Sequence, residues 1–343
     1  MKFTRVFLFL CLFSRSLFAQ IGGDNTYEFL TLTSSARVLA LGNALVNTLD
    51  SDVNLAHQLP SLNHSGMNGQ ISANFTNYYA GIKFGNLLYG LPNQKLGNIT
   101  LGIQYLNYGD FTRTNEYGET IGAFDAGEYA VYASSAMHFD SVFHVGAAVK
   151  GVYSVFDSFI SYGLLTDVSA SYSLKEGRLM ASMLVRNLGF QLKSYAGTRE
   201  RMPFELLLGV SSKLEHAPLR WSITWAYLEK WELSYTDNES TEIDPFTNEE
   251  INTSYSFRDN LVSHLQIGGE FLFSKNFNIR VGYNFRRRQE LALELYKHNV
   301  GMSWGFTMKV SKFHFNYSRA SLHSTGPMHT FSVTSNLSNF KRK

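Results

Sequence analysis

One short motif in the sequence has the spacing of a hydrolase nucleophile. Gly301-Met302-Ser303-Trp304-Gly305 fits the pattern G-x-S-x-G, in which a sharp turn between a strand and a helix exposes the serine. In this chain, apolar residues alternate with small or polar residues on both sides of Ser303, from Asn299 to Val310. Such alternation is typical of a continuous strand, so we interpret Ser303 as a strand residue and expect that the protein is not an enzyme.

The histidines give no sign of a metal centre. The chain has 10 of them, and none lies in a His-Glu-x-x-His motif or near carboxylates at the spacing of metal ligands. His264 and His314 fall in step with the small and polar residues of their segments. We interpret both as polar residues with satisfied hydrogen bonds, and expect neither a metal ion nor another cofactor.

The alternation around Ser303 recurs along most of the chain. Residues 162–174 and 277–286 again have one apolar face and one face of small, polar and charged residues. Successive side chains of a strand point to opposite sides, and these segments match the roughly 9 to 11 tilted residues that cross a bilayer. We therefore expect an all-β membrane protein, an antiparallel transmembrane β-barrel of about fourteen strands. The expected strands are residues 69–79, 81–91, 97–108, 125–138, 142–154, 160–174, 177–188, 203–214, 218–227, 260–273, 277–287, 298–310, 312–322 and 327–338.

The connections between these strands are short and long in turn. Tight connections follow the even-numbered strands, whereas the connections after odd-numbered strands include the long segments 109–124, 189–202, 228–259 and 288–297. Bacterial barrels place short turns in the periplasm and long loops outside the cell. We therefore expect a protein of the cell outer membrane with both chain ends in the periplasm.

Composition and the first residues agree with this location. Apolar residues make up 44% of the chain and charged residues 17%. Residues 1–19 carry Lys2 and Arg5 before an apolar run and end in Ser-Leu-Phe-Ala, as a secretory signal peptide does. The single cysteine, Cys11, lies inside it. Removing Lys2, Arg5 and Arg15 lowers the basic count from 30 to 27 against 28 acidic residues, and no nucleic-acid footprint is visible.

Residues 20–68 do not alternate and look like short helices and loops. A barrel of about fourteen strands has a lumen too wide for its own side chains to fill. We therefore expect residues 20–68 to form a plug inside a barrel of residues 69–338, with a periplasmic tail at 339–343.

Several charged residues fall on inward positions of the expected strands, namely Lys150, Asp167, Glu270, Arg280 and Lys309. Unpaired charges are costly in such a place. We therefore expect an ion-pair lattice that holds Arg37, Asp50 and Asp52 of the plug. A role of these charges in gating or conduction is the alternative.

Two features of the outer side could bind partners. Arg286, Arg287 and Arg288 stand at the outer end of a strand, where lipopolysaccharide phosphates offer bidentate acceptors. The alternative, which fits equally well, is that these arginines are solvated residues at the base of a loop. The segment 228–259 mixes acidic residues with aromatic residues, and aromatic anchors are typical of docking surfaces. We expect partner docking there, through the side chains of Trp231, Tyr235, Phe246 and Tyr255.

Two groups of motifs resemble known outer-membrane barrels. Ser35-Ala36-Arg37-x-x-Ala40-Leu41-Gly42, with Asp50 and Asp52, resembles the hatch of the FadL-like family, whose members are plugged barrels of fourteen strands. A second group resembles a barrel component of the type IX secretion system over essentially the whole mature chain: residues 105–114, 186–189, 195–200, 203–205 and 213–218.

The second resemblance implies a non-enzymatic role in protein secretion. The component belongs to an attachment complex with PorU, PorV and the surface protein PorZ, and it holds PorZ at the cell surface. The complex removes the C-terminal signal of secreted cargo and joins the cargo to anionic lipopolysaccharide. A FadL-like channel for hydrophobic compounds is the alternative, and it requires an apolar pocket against the plug and an opening in the wall.

Overall fold

The computed structural model describes residues 25–93, 98–174, 177–233, 257–291, 300–321 and 326–340. The expected signal peptide lies outside this range. Fourteen antiparallel strands in the described residues form one closed barrel in sequence order, which confirms the expected fold class. The strands are β1 Gln70–Asn77, β2 Lys83–Leu91, β3 Ile99–Thr114, β4 Thr120–His138, β5 Phe143–Phe156, β6 Phe159–Leu174, β7 Leu179–Lys193, β8 Glu205–Lys213, β9 Leu219–Trp225, β10 Leu265–Phe271, β11 Phe277–Asn284, β12 Met302–Val310, β13 Phe313–Ala320 and β14 Met328–Asn336.

The barrel closes where β1 pairs with β14, from Gln70 opposite Asn336 to Asn77 opposite His329. Closure leaves no strand edge in the wall, so its backbone N–H and C=O groups are satisfied within the sheet. The outer face carries exposed apolar side chains and the inner face is mainly serine, threonine, asparagine and glycine. This exterior is that of a membrane-spanning barrel. Among the described residues, no helix has the length and apolar character needed to cross a membrane.

The connections after even-numbered strands define one end of the barrel, called here the short-turn end. The opposite end, the long-loop end, is taller than we expected from the sequence because β3 and β4 continue past the wall. Most of the segment 109–124 is therefore a hairpin whose turn is only residues 115–119. Asn115 closes this turn by accepting hydrogen bonds from the backbone N–H groups of Tyr117 and Glu119.

Two expected strand ends are helices in the structure. Helix α3, Phe257–Ser263, precedes β10, and helix α4, Phe285–Leu291, follows β11; helices α1 and α2 belong to the plug and are given below. The expectation that Arg286, Arg287 and Arg288 end a strand is therefore wrong. The Asn284 side chain accepts a hydrogen bond from the Arg287 N–H at 3.1 Å, as helix N-caps do, and the residues that follow are good helix formers.

Residues 25–68, called the plug below, run through the lumen from the long-loop end to the short-turn end. Asn25 forms a bridge with Arg201, and Glu28–Thr31 is a short 3-10 helix. Helix α1, Ala36–Ala40, packs against β11, β12, β13 and β14. The chain then crosses the lumen to helix α2, Val53–Gln58, and to short 3-10 turns at Pro60–Leu62 and Ser65–Met67.

Apolar residues of the plug form the core together with the few apolar residues of the inner wall. Tyr27, Phe29 and Leu30 pack against Phe84, Leu106, Val152 and Leu165 in one cluster. A second cluster joins Leu45, Leu55, Leu59 and Leu62 to Met180, Leu184 and Leu207. The hydrophobic core of this protein is thus the boundary between the plug and the wall.

Ile103 tests the assignment of the outer face to lipid. Its side chain is 55% exposed and lies between Leu87 and Val131 on the neighbouring strands, near the middle of the wall. We expect Ile103→Arg to impair assembly, because a lipid-facing arginine at the midplane costs about 2 to 4 kcal/mol. Ile103→Leu is the control. The measurement is the folded fraction by heat-modifiable migration on gels; equal folding of both variants would contradict the assignment.

Candidate functional site: the seat of the plug in the barrel

The inner wall supplies hydroxyl groups to the backbone of the plug. Much of the plug has no secondary structure, so its backbone N–H groups need other acceptors. The Ser303 Oγ accepts from the Gly42 N–H at 2.9 Å, and the Thr224 Oγ1 accepts from the Leu45 N–H at 2.8 Å. Further hydroxyl acceptors serve other plug N–H groups: Ser332 for Ala36, Ser211 for Asn47 and Ser169 for Ser61.

These contacts decide the role of Ser303. Its hydroxyl also donates to the Ala40 carbonyl at 3.1 Å, and the residue lies inside β12, two positions after Gly301. A nucleophile elbow would instead require a strand-to-helix turn with a free hydroxyl. In this structure the Ser303 hydroxyl binds the backbone of the plug.

Glycines of the wall let the plug backbone approach more closely than any side chain would allow. A Cβ atom at Gly282 would lie 2.1 Å from the Gly42 nitrogen, and one at Gly146 would lie 2.3 Å from the Ser61 nitrogen. Both distances are below those seen between real atoms. At these positions glycine is required for the approach of two backbones, and not for an unusual dihedral angle.

A network of three arginines and three carboxylates joins the plug to the wall. Arg37, Asp50 and Asp52 come from the plug, whereas Arg220, Glu270 and Arg280 come from β9, β10 and β11. Glu270 lies at the centre, with its side chain 1% exposed, and receives Arg37 at 3.1 Å, Arg220 at 2.7 Å and Arg280 at 2.6 Å. The formal charges sum to zero.

Asp50 strengthens this connection because it pairs with one arginine of the plug and one of the wall. Its distances are 2.5 Å to Arg37 and 2.7 Å to Arg220. Arg220 is not among the residues expected in the network from the sequence. The alternation of side chains in β9 could have indicated that Arg220 points inward, because Arg220 lies two and four positions before the inward residues Ser222 and Thr224.

A second group of buried charges lies in the wall alone. Lys150 pairs with Asp167 at 2.7 Å and donates to the Asn187 side chain at 2.8 Å, while Arg186 pairs with Glu205. Asn187 has a φ of 59°, a left-handed conformation that asparagine tolerates better than most residues. Its N–H donates to Asp167 and its side chain to the Pro203 carbonyl, so the group holds the β7–β8 connection in place.

The outer arginines are less open than the sequence implies. Arg286, Arg287 and Arg288 are half-buried, and the Arg286 guanidinium lies 4.0 Å from the centre of the Tyr227 ring, a cation–π contact. Arg287 lines a cavity between α4 and the plug.

Trp231 is the one expected docking residue in the described part of the chain. Its side chain is 47% exposed, stacks on His264 and packs at a tilt against Phe257. The His264 ring nitrogens contact the Ala226 and Trp231 carbonyls at 2.7 and 3.2 Å, so this buried histidine has partners. Tyr235, Phe246 and Tyr255 lie outside the described residues.

The described residues enclose cavities between the plug and the wall, two of which differ in character. One, of about 40 Å³, lies towards the long-loop end and is lined by apolar residues such as Leu32, Leu39, Phe84 and Met328 together with polar residues such as Thr33, Asn43 and Thr76. The other, of about 440 Å³, opens at the short-turn end and is lined mainly by polar and charged residues, including His314 and Lys309. No group of three or more histidine, cysteine or acidic side chains in the described ranges could hold a metal ion.

Comparisons with known proteins found likeness in fold. The toluene transporter TbuX of Ralstonia pickettii has 11% identity, coverage of 87% of this chain and 97% of that chain, and a TM-score of 0.47. For the Pseudomonas putida toluene transporter TodX the values are 11%, 89%, 97% and 0.47, and for a Pseudomonas aeruginosa FadL homologue they are 12%, 89%, 98% and 0.46. At such values we assign no function from these structures. Neither protein-family models nor curated proteins matched the chain.

Gly282 tests the close fit between plug and wall. We expect Gly282→Ala to displace the plug, because the added Cβ meets the backbone of Leu41 and Gly42 and overpacking of this kind costs about 1 to 3 kcal/mol. Planar bilayer conductance should rise, and trypsin should cleave after Arg37. The control is Gly269→Ala, whose Cβ would meet only Val281 at 3.7 Å. An unchanged Gly282→Ala protein would refute the close fit.

Glu270 tests the charge network. In Glu270→Gln, three arginines share two carboxylates in a buried site, and loss of one partner of such a group costs about 3 to 5 kcal/mol. We expect a matching fall in the free energy of unfolding, measured by urea titration of the vesicle-inserted barrel. Glu215→Gln is the control because its pair with Arg178 is exposed and is worth about 0 to 1 kcal/mol. Equal effects of the two substitutions would show that the network does not hold the plug.

Proposed function

We propose that this chain is a non-enzymatic barrel of the outer membrane, similar to PorQ, that anchors a surface partner in the attachment complex of the type IX secretion system. The partner is PorZ, and PorU and PorV belong to the same complex. This complex processes secreted cargo and joins it to anionic lipopolysaccharide. The support for this system is the set of sequence motifs at 105–114, 186–189, 195–200, 203–205 and 213–218, and the support for an anchor is the small cavity left beside the plug at the long-loop end.

The packing of the plug inside the barrel is the observation that carries the proposal. Apolar residues of the plug pack against the wall, and the wall closes through continuous strand pairing. The cavity of about 40 Å³ towards the long-loop end is far below the roughly 300 Å³ of small-molecule sites. This cavity is too small for a solute of that size, which favours a function of the outer surface.

Four of the five segments that carry the resemblance, 105–114, 186–189, 195–200 and 203–205, lie at or towards the long-loop end, whereas 213–218 connects β8 to β9 at the short-turn end. Arg186, Asn187, Pro203 and Glu205 form the buried group that holds the β7–β8 connection. The Tyr195 hydroxyl donates to Ser154, and the Glu200 N–H donates to Gln191. These contacts give the long-loop end a defined shape, which a docking platform needs in order to bind with little loss of entropy.

Exposed aromatic and apolar groups mark two surfaces on that platform. Trp231 precedes the segment 234–256 in the sequence, and the β3–β4 hairpin presents Tyr117, which is 88% exposed, together with Ile121. Phe111 and Phe124 stack on the hairpin with their ring centres 5.1 Å apart. Aromatic anchors of this kind dominate the energy of protein interfaces. Lipopolysaccharide binding by the half-buried residues Arg286, Arg287 and Arg288 is also proposed.

A channel for hydrophobic compounds is the second candidate. Its support is the apolar lining that Leu32 and Leu39 of the plug share with Phe84 and Met328 of the wall. The cavity is smaller than the roughly 150 Å³ that holds benzene, so this function requires the plug to move. Uptake of a monoaromatic compound into vesicles that contain only this protein would favour the channel over the anchor.

The docking surface can be tested on cells. Replacing residues 236–252 with a short Gly-Ser linker, or Trp231 with Ala, should release PorZ from the cell surface and leave cargo unprocessed, because the aromatic anchors are removed. The barrel should still migrate as a folded protein. Phe139→Ala is the control, since Phe139 is an exposed aromatic residue at the opposite end. Retention of PorZ with normal processing would exclude this surface, and the same measurement on Tyr117→Ala and Ile121→Ser would then test the β3–β4 hairpin.

A further inference from the structure

The larger cavity lies at the short-turn end, between the plug and the strands β10 to β14. Its volume is about 440 Å³, within the range of small-molecule sites. Asp50 and Asp52 of the plug form part of its floor, and Lys275 and Lys312 belong to the turns at its mouth. It is separate from the long-loop end, where we propose partner docking.

The charges of this cavity do not balance. The arginine–carboxylate network at the floor is neutral, since Arg37, Arg220 and Arg280 match the three carboxylates. The remaining charged lining residues are Lys275, Lys309 and Lys312, which leaves three positive charges. Because the carboxylates are already held by arginines, the cavity carries a net positive potential towards any solute that enters.

Two of these lysines have no anionic partner. Within the described part of the chain, Lys275 and Lys309 form no ion pair. Lys312 donates to the Asn339 carbonyl at 2.6 Å and lies 4.7 Å from the centre of the Phe340 ring.

The uncharged lining favours a polar ligand. The uncharged lining consists of asparagine, serine and threonine side chains with Gln70 and His314, and Leu272 is apolar. Amide and hydroxyl groups donate hydrogen bonds to the oxygens of phosphate and carboxylate groups, while lysine ammonium groups bind such anions as point charges. A hydrophobic solute would have to desolvate these groups without replacing their hydrogen bonds.

We propose that this cavity is a binding site for a small anion with at least two negative charges, carried by phosphate or carboxylate groups, and that Lys275 and Lys309 are its principal ligands. The anion is either free in solution or the phosphate-bearing headgroup of a lipid. The second source is within reach because the aromatic rings of Phe313 and Phe340, which pack together beside Lys312, form part of the outer surface at this end.

The experiment is calorimetric titration of the full-length protein in a non-ionic detergent, with pyrophosphate as the free anion. We expect saturable binding of one pyrophosphate per chain that weakens as salt is added, because the attraction is electrostatic. In the double variant Lys275→Gln/Lys309→Gln the affinity should fall at least tenfold. Lys213→Gln is the control, since Lys213 is exposed near the short-turn end but does not line the cavity.

A second titration uses mixed micelles with short-chain phosphatidylglycerol. Saturation by this lipid but not by pyrophosphate, again lost in the double variant, supports the site and identifies the headgroup as its source. Binding of neither compound to the wild-type protein overturns the proposal, as does equal affinity in the double variant and the wild type. A rise in the wild-type melting temperature with pyrophosphate is a further readout that needs no variant. PorZ retention should be normal in the double variant, so failure here is distinct from failure of the proposed anchor function.

Discussion

A barrel of fourteen strands encloses a lumen wider than its own side chains can fill, and the rest of this structure depends on how that lumen is occupied. The wall is polar on the inside, so the occupant must bury polar groups as well as apolar ones. The plug meets this constraint with an irregular backbone whose N–H groups bond to serine and threonine hydroxyls of the wall. Glycines such as Gly282 and Gly146 bring the two backbones together. The inner surface of the barrel and the surface of the plug are thus complementary in shape and in hydrogen bonding.

Charge adds a connection of different character at the short-turn end. Glu270 is buried, with its side chain 1% exposed, and it is surrounded by Arg37, Arg220 and Arg280. Such buried groups contribute little net stability relative to an apolar core, yet they strongly disfavour any arrangement that separates the partners. Because Arg37 and Asp50 come from the plug, every displaced position of the plug leaves charges unpaired. The network therefore favours one position of the plug over other positions that would bury a similar apolar area.

The two ends of the molecule differ as a consequence. At the long-loop end the plug packs by apolar contacts around Tyr27 and Phe29, the remaining cavity is small, and the extended β3–β4 hairpin and Trp231 project outward. At the short-turn end the plug leaves a larger cavity with three lysines. The long-loop end thus presents a shaped outer surface, whereas the proposed anion site opens at the short-turn end. The plug thus leaves a small cavity at the long-loop end and a larger, positively charged cavity at the short-turn end.

The alternation of side chains was sufficient to predict the barrel, its strand number and its inward charges, because a period of two is a local property of the chain. The lack of alternation in residues 20–68 also indicated that Arg37, Asp50 and Asp52 lie outside the strands. Residues far apart in sequence decided the rest. Ser303 binds the Gly42 N–H, and Arg220 shares Asp50 with Arg37. Both contacts depend on the path of the plug, and this path could not be predicted because the plug sequence has no periodic pattern. The helix at Phe285–Leu291 and the tall β3–β4 hairpin were missed for the related reason that caps and turns at strand ends depend on single side chains. Sequence by itself determined which side of each strand faces lipid; tertiary structure decided what fills the lumen, because filling depends on the complementarity of surfaces that are not adjacent in the chain.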